Sequence, residues 1–175
     1  MECESTKWVA QGPAVASSSG SRPTNSGAAS EHLQLVEAIV ASYAATMGGQ
    51  LISPGSTGLV EALMNAPFVV LCHDGGLDPR FIYANVSAAR LWRMDRQDMI
   101  GMPSRLSAPP ELRAERSQML AQAARDGLVR GYTGQRVASD GTRFVIRDAT
   151  LWNVKLPGGG VGQAVTFAAF DELPG

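Results

Sequence analysis

The sequence predicts an α+β fold: a single domain with a five-stranded antiparallel sheet, helices on one face of the sheet, and an additional N-terminal helix. The 175 residues are 45% hydrophobic and 18% charged, which suits one soluble domain with a substantial core. Two strand-like apolar runs precede a helical region and three follow it, and each run is bounded by turn residues. The five runs cover residues 68–73, 80–84, 129–137, 142–154 and 161–170.

The first 29 residues are predicted to be a disordered tail, and the domain is expected to occupy residues 30–171, with its core in 66–170. Residues 1–29 are rich in Ser, Ala and Gly and contain few large apolar side chains that could offset the entropy of ordering them. The chain is expected to be cytoplasmic, and organelle targeting by this tail stays open.

Residues 31–47 are predicted to form the N-terminal helix, with Ser30 as N-cap and Gly48 after its end. Apolar side chains recur there at spacings of three and four residues. This stripe can pack on the domain's own core or on a second copy, and its short length favours the first. The stripe consists of Leu33, Val36, Val40, Tyr43 and Met47.

The helices between the strands are predicted from caps and breakers. A short helix over 57–65 must end before Pro67, and Asn85 is expected to cap a helix over 86–94 that buries Trp92. A further helical turn follows at 95–100. Pro110 then suits the first turn of a helix over 111–126.

Residues 142–154 form the longest strand candidate, and its register has two interpretations. In regular alternation, Asp148 and Thr150 interrupt an otherwise apolar row. A β-bulge near Asp148 would instead bring Ala149 and Leu151 inward beyond that point. The sequence leaves both open. The regular row contains Phe144, Ile146, Trp152 and Val154.

Polar residues inside the apolar strands are the candidate ligand-pocket residues. Asp148, Thr150 and Gln163 lie in strands that should be neighbours, so they could line a pocket. A structural network, in which they bond backbone groups, Arg147 or Arg105, is the favoured alternative. Arg105 is interpreted mainly as a loop fastener. The complete set of pocket candidates is Asp148, Thr150, Gln163, Trp152, Phe144, Trp92 and Arg105.

No residue pattern indicates catalysis or metal binding, so the protein is predicted not to be an enzyme. Cys72 and His73 are adjacent on a strand and would point to opposite faces, which argues against a nucleophile and base pair. The two His and two Cys have no ligand-type spacing. A net charge of −1 gives no electrostatic case for nucleic acid or membrane partners.

Four local sequences, taken in order, resemble the PAS-like MEKHLA domain family, which includes small stand-alone proteins of bacteria, algae and plants. The matching segments are APFVVL with HD (66–74), YAN with LW (83–92), IG with PSRLSA (100–108) and DATLWN (148–153). The resemblance spans residues 31–170. It implies a PAS-like fold and a sensory or regulatory role, with no catalytic residues to transfer.

The function expected from this resemblance is a non-catalytic module that binds a small ligand or a regulatory protein. A homodimeric interaction protein without a ligand is the second hypothesis, and an uncharacterised enzyme is the third. Some PAS relatives form a flavin adduct through a cysteine of the helical crossover, and residues 86–126 contain no cysteine. Flavin photochemistry of that type is therefore not expected, and no cofactor is assigned.

Overall fold

The computed structural model of the protein describes residues 25–174, which form six strands and five α-helices. Two 3₁₀ turns, Ser104–Ser107 and Pro110–Leu112, precede the last helix. Within the described residues, no helix is both long enough and apolar enough to cross a bilayer. The elements in chain order are α1 Asn25–Met47, α2 Leu59–Met64, β1 Val69–His73, β2 Phe81–Ala84, α3 Val86–Trp92, α4 Arg96–Met99, α5 Arg113–Asp126, β3 Leu128–Val137, β4 Arg143–Lys155, β5 Val161–Phe167 and β6 Ala169–Glu172.

Helix α1 already includes Asn25, the first described residue, so the predicted start at Glu31 with Ser30 as N-cap is wrong. The remainder of the predicted tail, residues 1–24, lies outside the described residues. The buried stripe of α1 is centred on Val36 and Ile39, which are fully buried, whereas the predicted member Leu33 is 41% exposed. The stripe packs on the domain's own sheet, mainly against β4, as the favoured interpretation predicted.

The sheet is antiparallel, with strand order β2-β1-β5-β4-β3, and the first two strands pair as the predicted hairpin. The predicted last strand over 161–170 is divided in two, which gives six strands rather than five. Strand β5 pairs with the second half of β4, from Thr150 to Lys155. Strand β6 pairs with the first half of β4, from Phe144 to Arg147.

A bulge at Asp148 separates the two halves of β4. Asp148 has a φ of +50°, in the left-handed region that few non-glycine residues adopt. The bulge inserts one residue into the alternation of the strand. Ile146 and Ala149, which are three positions apart, therefore face the same side and belong to the same buried cluster. Trp152 and Val154 belong to the other cluster. The regular row that joined Ile146 to Trp152 and Val154 is therefore wrong, and the bulged register describes β4.

The two buried clusters lie on opposite faces of the sheet. The crossover face, covered by α3, α4 and α5, contains Leu71 and Trp92. The opposite face, covered by α1 and α2, contains Cys72 and Trp152. Both faces of β4 are buried in the core, which is why odd-numbered and even-numbered positions of this strand both contain apolar residues.

Helix α1 is attached to the sheet chiefly through Trp152. The Trp152 indole Nε1 donates a hydrogen bond to Ser42 Oγ at 3.0 Å. The Tyr43 ring meets the indole edge to face, with ring centroids 5.0 Å apart. These contacts satisfy the polar end of a fully buried tryptophan while its apolar body fills the core.

Asn85 joins the crossover helices to β1, in the capping role that the sequence predicts. Its side-chain Oδ1 accepts from the backbone N–H of Ala88 at 3.0 Å and of Val70 at 3.1 Å. Its Nδ2 donates to the Phe68 carbonyl at 2.8 Å. Asn85 is fully buried, so these bonds also meet the requirement that a buried amide be hydrogen-bonded.

Replacing Trp152 with alanine should reduce the free energy of unfolding by about 3 to 5 kcal/mol, because it removes a fully buried side chain. Ser42→Ala, which removes the acceptor of the indole and a local hydrogen bond to the Ile39 carbonyl, should cost about 1 kcal/mol. Urea denaturation of both variants measures these losses. A loss below about 1 kcal/mol for Trp152→Ala would contradict the docking of α1 on this residue.

The effect of substitutions at Asp148 on the free energy of unfolding should depend on how well the new residue adopts the left-handed conformation. Asp148→Gly should be neutral or stabilising, whereas Asp148→Val should cost about 1 to 2 kcal/mol because a β-branched residue is strained there. Arg147→Val, in the extended backbone one residue earlier, is the matched control and should cost less. Equal losses for the two valine variants would show that β4 has no bulge at Asp148.

Candidate functional site

A small enclosed cavity lies between the crossover face of the sheet and helix α5. Its volume is about 30 Å³, which holds a group of a few atoms and is far below the size of a flavin-binding pocket. Most of its wall is apolar, from Leu71, Phe81, Ile146, Leu151 and Phe167. The polar part of the wall contains His73, Trp92, Ser107, Arg116, Tyr132, Arg136 and Gln163.

An open cleft of about 580 Å³ adjoins this cavity on the side of the 75–79 loop. The cavity and the cleft share four lining residues, so these residues form the wall between the enclosed space and solvent. They are His73, Arg116, Leu120 and Gln163. A small molecule that moves from the cleft into the cavity must therefore pass these residues, which include Arg116 and His73.

Arg116 projects from α5 into this region and is only 8% exposed. Its Nε is buried without a hydrogen-bond partner. Burial, followed by the charge of Arg136, lowers the pKa of Arg116 to about 9, so the guanidinium stays charged at neutral pH. Among residues 25–174, no ion pair includes Arg116.

Arg136 is the second buried arginine of the cavity wall, at 6% exposure. Its guanidinium lies over the Tyr132 ring, 5.4 Å from the centroid, and donates to Tyr132 Oη at 3.3 Å. It also donates to the Gln135 carbonyl at 2.6 Å. Each of these partners is neutral, so two positive charges border the cavity and no carboxylate of residues 25–174 pairs with either.

The hydrogen bonds of His73 determine its tautomer. The backbone N–H of Gly75 donates to His73 Nδ1 at 3.2 Å, so the proton of the neutral ring lies on Nε2. That Nε2 is buried without a partner. Burial and the Arg116 charge lower the pKa of His73 to about 4, against the opposing effect of Asp74, which keeps the ring neutral at physiological pH.

The buried groups without partners in the cavity wall are all hydrogen-bond donors. They are the N–H groups at His73 Nε2, Trp92 Nε1 and Arg116 Nε. A buried donor without an acceptor is costly, and such groups in native proteins call for an explanation. The arrangement can bind an acceptor-rich, negatively charged group.

The structure separates the candidate pocket residues predicted from sequence. Gln163 and Trp92 line the cavity. Phe144 packs edge to face on Trp92, at 5.1 Å between centroids, and is core. Trp152 belongs to the opposite face, and so does Thr150, which alternates with it two residues away along β4.

Asp148 is exposed, and the expectation that it points inward among apolar side chains is wrong. The expected pairing with Arg147 is also absent, since Arg147 pairs with Asp171 at 2.7 Å. The left-handed conformation at the bulge accounts for the aspartate, because a short polar side chain tolerates it better than an apolar one.

Arg105 lies in the wall of the open cleft rather than in the cavity. Its guanidinium donates to both carboxylate oxygens of Asp78, at 2.9 and 3.2 Å. This pair ties the loop after β1 to the first 3₁₀ turn, which is the fastening role that the sequence suggested.

Cys72 and His73 point to opposite sides of the sheet, as strand alternation predicts. Cys72 is in the cluster beneath α1, and burial raises the pKa of its thiol to about 12. His73 faces the cavity. The two side chains therefore share no proton, and the geometry gives no support to a nucleophile and base pair. Within residues 25–174, no group of three His, Cys, Asp or Glu side chains could hold a metal ion.

Sequence reasoning missed Arg116 and Arg136, although a periodicity signal exists for both. Arg116 shares helical spacing with Met119, Leu120 and Ala123, which marks the buried face of α5. Arg136 alternates along β3 with Tyr132 and Gly134, and Tyr132 packs against the crossover-face cluster. An arginine on an apolar face is the pattern that would have identified both.

The family model of the MEKHLA domain matches residues 33–172 of the sequence. The chain belongs to the MEKHLA domain family. No curated protein matches the sequence of this MEKHLA domain at a significant level.

Solved structures similar to this MEKHLA domain are PAS and light-oxygen-voltage domains. The PAS domain of a protein from Colwellia psychrerythraea has a TM-score of 0.53 and 15% identity, covering 61% of this chain and 89% of that chain. An RNA-binding light-oxygen-voltage receptor has a TM-score of 0.53 and 20% identity, covering 66% of this chain and 31% of that chain. A light-oxygen-voltage domain studied with a flavin analogue has a TM-score of 0.51 and 17% identity, covering 66% of this chain and 84% of that chain. These likenesses confirm the PAS-like fold.

The neutral His73 should make stability depend on pH. Because its folded pKa is below the unfolded value, its contribution is complete above about pH 6.5 and is lost as the pH falls to about 4. The loss should amount to about 3 kcal/mol. Urea denaturation across this range measures it, and His73→Gln should flatten the profile.

His32→Gln, which replaces the only other histidine, is the control and should keep most of the slope. Identical pH profiles for wild type and His73→Gln would show that His73 is not buried in the neutral form.

Proposed function

We propose that this MEKHLA domain is a non-catalytic sensory or regulatory module that binds a small ligand in the cavity beneath α5. The observation that carries the proposal is the enclosed cavity with three unpartnered buried donors in its wall. A structural core would be more stable with apolar groups at these positions, so their presence suits a binding role. The family and the PAS-like fold support a sensory or regulatory role.

Strand β4 supplies a route from the cavity to α1. Leu151 lines the cavity, and the next residue, Trp152, holds α1 on the opposite face. A displacement of the strand at Leu151 must also move Trp152, because one peptide unit joins them. In this proposal, a ligand in the cavity changes the packing of α1, which is the output element.

Two hydrogen bonds connect β4 and β5 to α5 beside the cavity. Gln163 Nε2 donates to the Leu120 carbonyl at 3.2 Å, and Asn153 Nδ2 donates to the Ala124 carbonyl at 2.9 Å. These bonds set the distance between α5 and the sheet, and thus the size of the cavity. A ligand that moves α5 acts on the sheet through the same two side chains.

The homodimer hypothesis has less support, because the apolar stripe of α1 packs on its own sheet. The enzyme hypothesis has less support, since Cys72 packs in the cluster beneath α1 and strand alternation points the His73 side chain to the other face. A regulatory protein as partner is compatible with the ligand proposal, since such a partner would bind to α1 and respond to its change in packing.

The proposal is tested with a variant that fills the cavity. Leu151→Phe adds a group of about the cavity's size at its wall, and Leu128→Phe makes the same change beneath α1 as the matched control. Each protein is incubated with a small-molecule cell extract and measured by native mass spectrometry. Wild type and Leu128→Phe should retain a noncovalent adduct, and Leu151→Phe should not.

Hydrogen exchange on the same samples should show that adduct formation changes the protection of amides in α1. Absence of an adduct in all three proteins, or equal adducts in all three, would contradict ligand binding in the cavity. An adduct without any change in α1 would contradict the proposed route through β4.

A further inference from the structure

The buried polar atoms of the cavity wall that lack a partner are hydrogen-bond donors. The N–H groups at Arg116 Nε and His73 Nε2 have no acceptor among residues 25–174. His73 Nδ1 accepts from the Gly75 N–H, and the Tyr132 hydroxyl accepts from Arg136. The Ser107 hydroxyl and Gln163 Oε1 are the acceptors of the wall that keep free lone pairs. A ligand that satisfies the unpartnered donors must therefore supply hydrogen-bond acceptors.

The charge of the wall agrees with its hydrogen bonding. Arg116 and Arg136 are both more than nine-tenths buried and have no carboxylate partner among residues 25–174. An unpaired buried charge is strongly destabilising, and a bound anion would offset that cost. Burial distinguishes these two arginines, since Arg80, Arg90 and Arg130 also lack a carboxylate partner in the described part of the chain but are exposed to solvent.

Building on the function proposed above, we infer that the cavity binds a small monocarboxylate. A carboxylate is planar and accepts two parallel hydrogen bonds, which matches the fork of a guanidinium. The rest of the wall is apolar, with Leu71, Phe81 and Val165 among its residues, and the volume of about 30 Å³ suits a carboxylate with no more than a methyl group. A second carboxylate or a bulky phosphate would leave charge against these side chains.

Arg116 is the first contact for the carboxylate, because it borders both the open cleft and the cavity. His73 stands at the same wall, and its free Nε2–H adds a neutral donor. Arg136 is fixed on Tyr132 and supplies a second positive charge from β3. The carboxylate thus bridges α5 and the sheet, the two layers that the proposed signal must connect.

Isothermal titration of the full chain at constant ionic strength tests the ligand class. The probes are acetate, the neutral ethanol, the cationic ethylamine and inorganic phosphate. Acetate should bind and raise the melting temperature, and the other three should not. Ethanol or phosphate binding at least as tightly as acetate would overturn the assignment, and so would no binding of acetate.

Arg116→Met tests the residue assigned as the first contact. Its affinity for acetate should fall about tenfold or more, because a charge-assisted pair is lost. Without ligand, its melting temperature should equal or exceed that of wild type, since an unpaired buried charge is removed. Arg105→Met, in the wall of the cleft only, is the matched control and should keep the wild-type affinity.

Unchanged acetate affinity in Arg116→Met would overturn the role of Arg116, and a lower melting temperature would indicate that this residue is structural. If Arg116→Met does not fold, the probe series on wild type decides the ligand class alone. The experiment with the cell extract is independent of both results. An adduct in the extract without acetate binding rejects the carboxylate and keeps the sensory proposal, whereas the absence of both rejects both proposals.

Discussion

The left-handed backbone at Asp148 is the constraint on which the rest of the structure depends. A regular strand of thirteen residues would present one row to each face from end to end. The bulge shifts that row by one position, so that Ile146 and Ala149 face the crossover helices and Trp152 faces α1. It also coincides with the break between β5 and β6, which pair with different halves of β4. Asp148 therefore marks the point where β4 changes its pairing partner and where its buried side chains change from one cluster to the other.

The division of the core gives the domain two compartments of different character. The face beneath α1 is closed by aromatic packing on Trp152 and is largely apolar. The face beneath α5 holds a cavity, two buried arginines and a neutral histidine. Three buried donors without partners border that cavity, whereas the Tyr83 hydroxyl is such a donor on the α1 face. Leu151 and Trp152, adjacent in the chain, place the two compartments within one peptide unit of each other.

The sequence was sufficient for the element order, because caps and turns are local. Asn85 forms the cap that its position before an apolar stripe predicts, and Gly127 ends α5 in the left-handed conformation. The family and the PAS-like fold were likewise predictable from short matching segments. The register beyond Asp148 was not predictable. Both faces of the strand are buried, so odd-numbered and even-numbered positions are both apolar and give no preference for one register.

The candidate site was predicted only in part for the same reason. Gln163 and Trp92 were expected in a pocket and line the cavity, but Asp148 and Trp152 were assigned inward on a row that the bulge interrupts. The buried arginines were overlooked because an arginine in a sequence reads as surface unless its face is known. The absence of a carboxylate partner for Arg116 among the described residues becomes visible only when α5 is packed on the sheet.

The most direct measurement of the divided strand is a nuclear Overhauser spectrum of the labelled protein. The account predicts contacts of the Trp152 indole with the Tyr43 ring on α1, and contacts of the Ala149 methyl group with side chains of the crossover-face cluster. It predicts no contact between Trp152 and Ile146. Contacts of the Trp152 indole with Ile146 and Phe144 would place all three on one face and would contradict the bulge at Asp148.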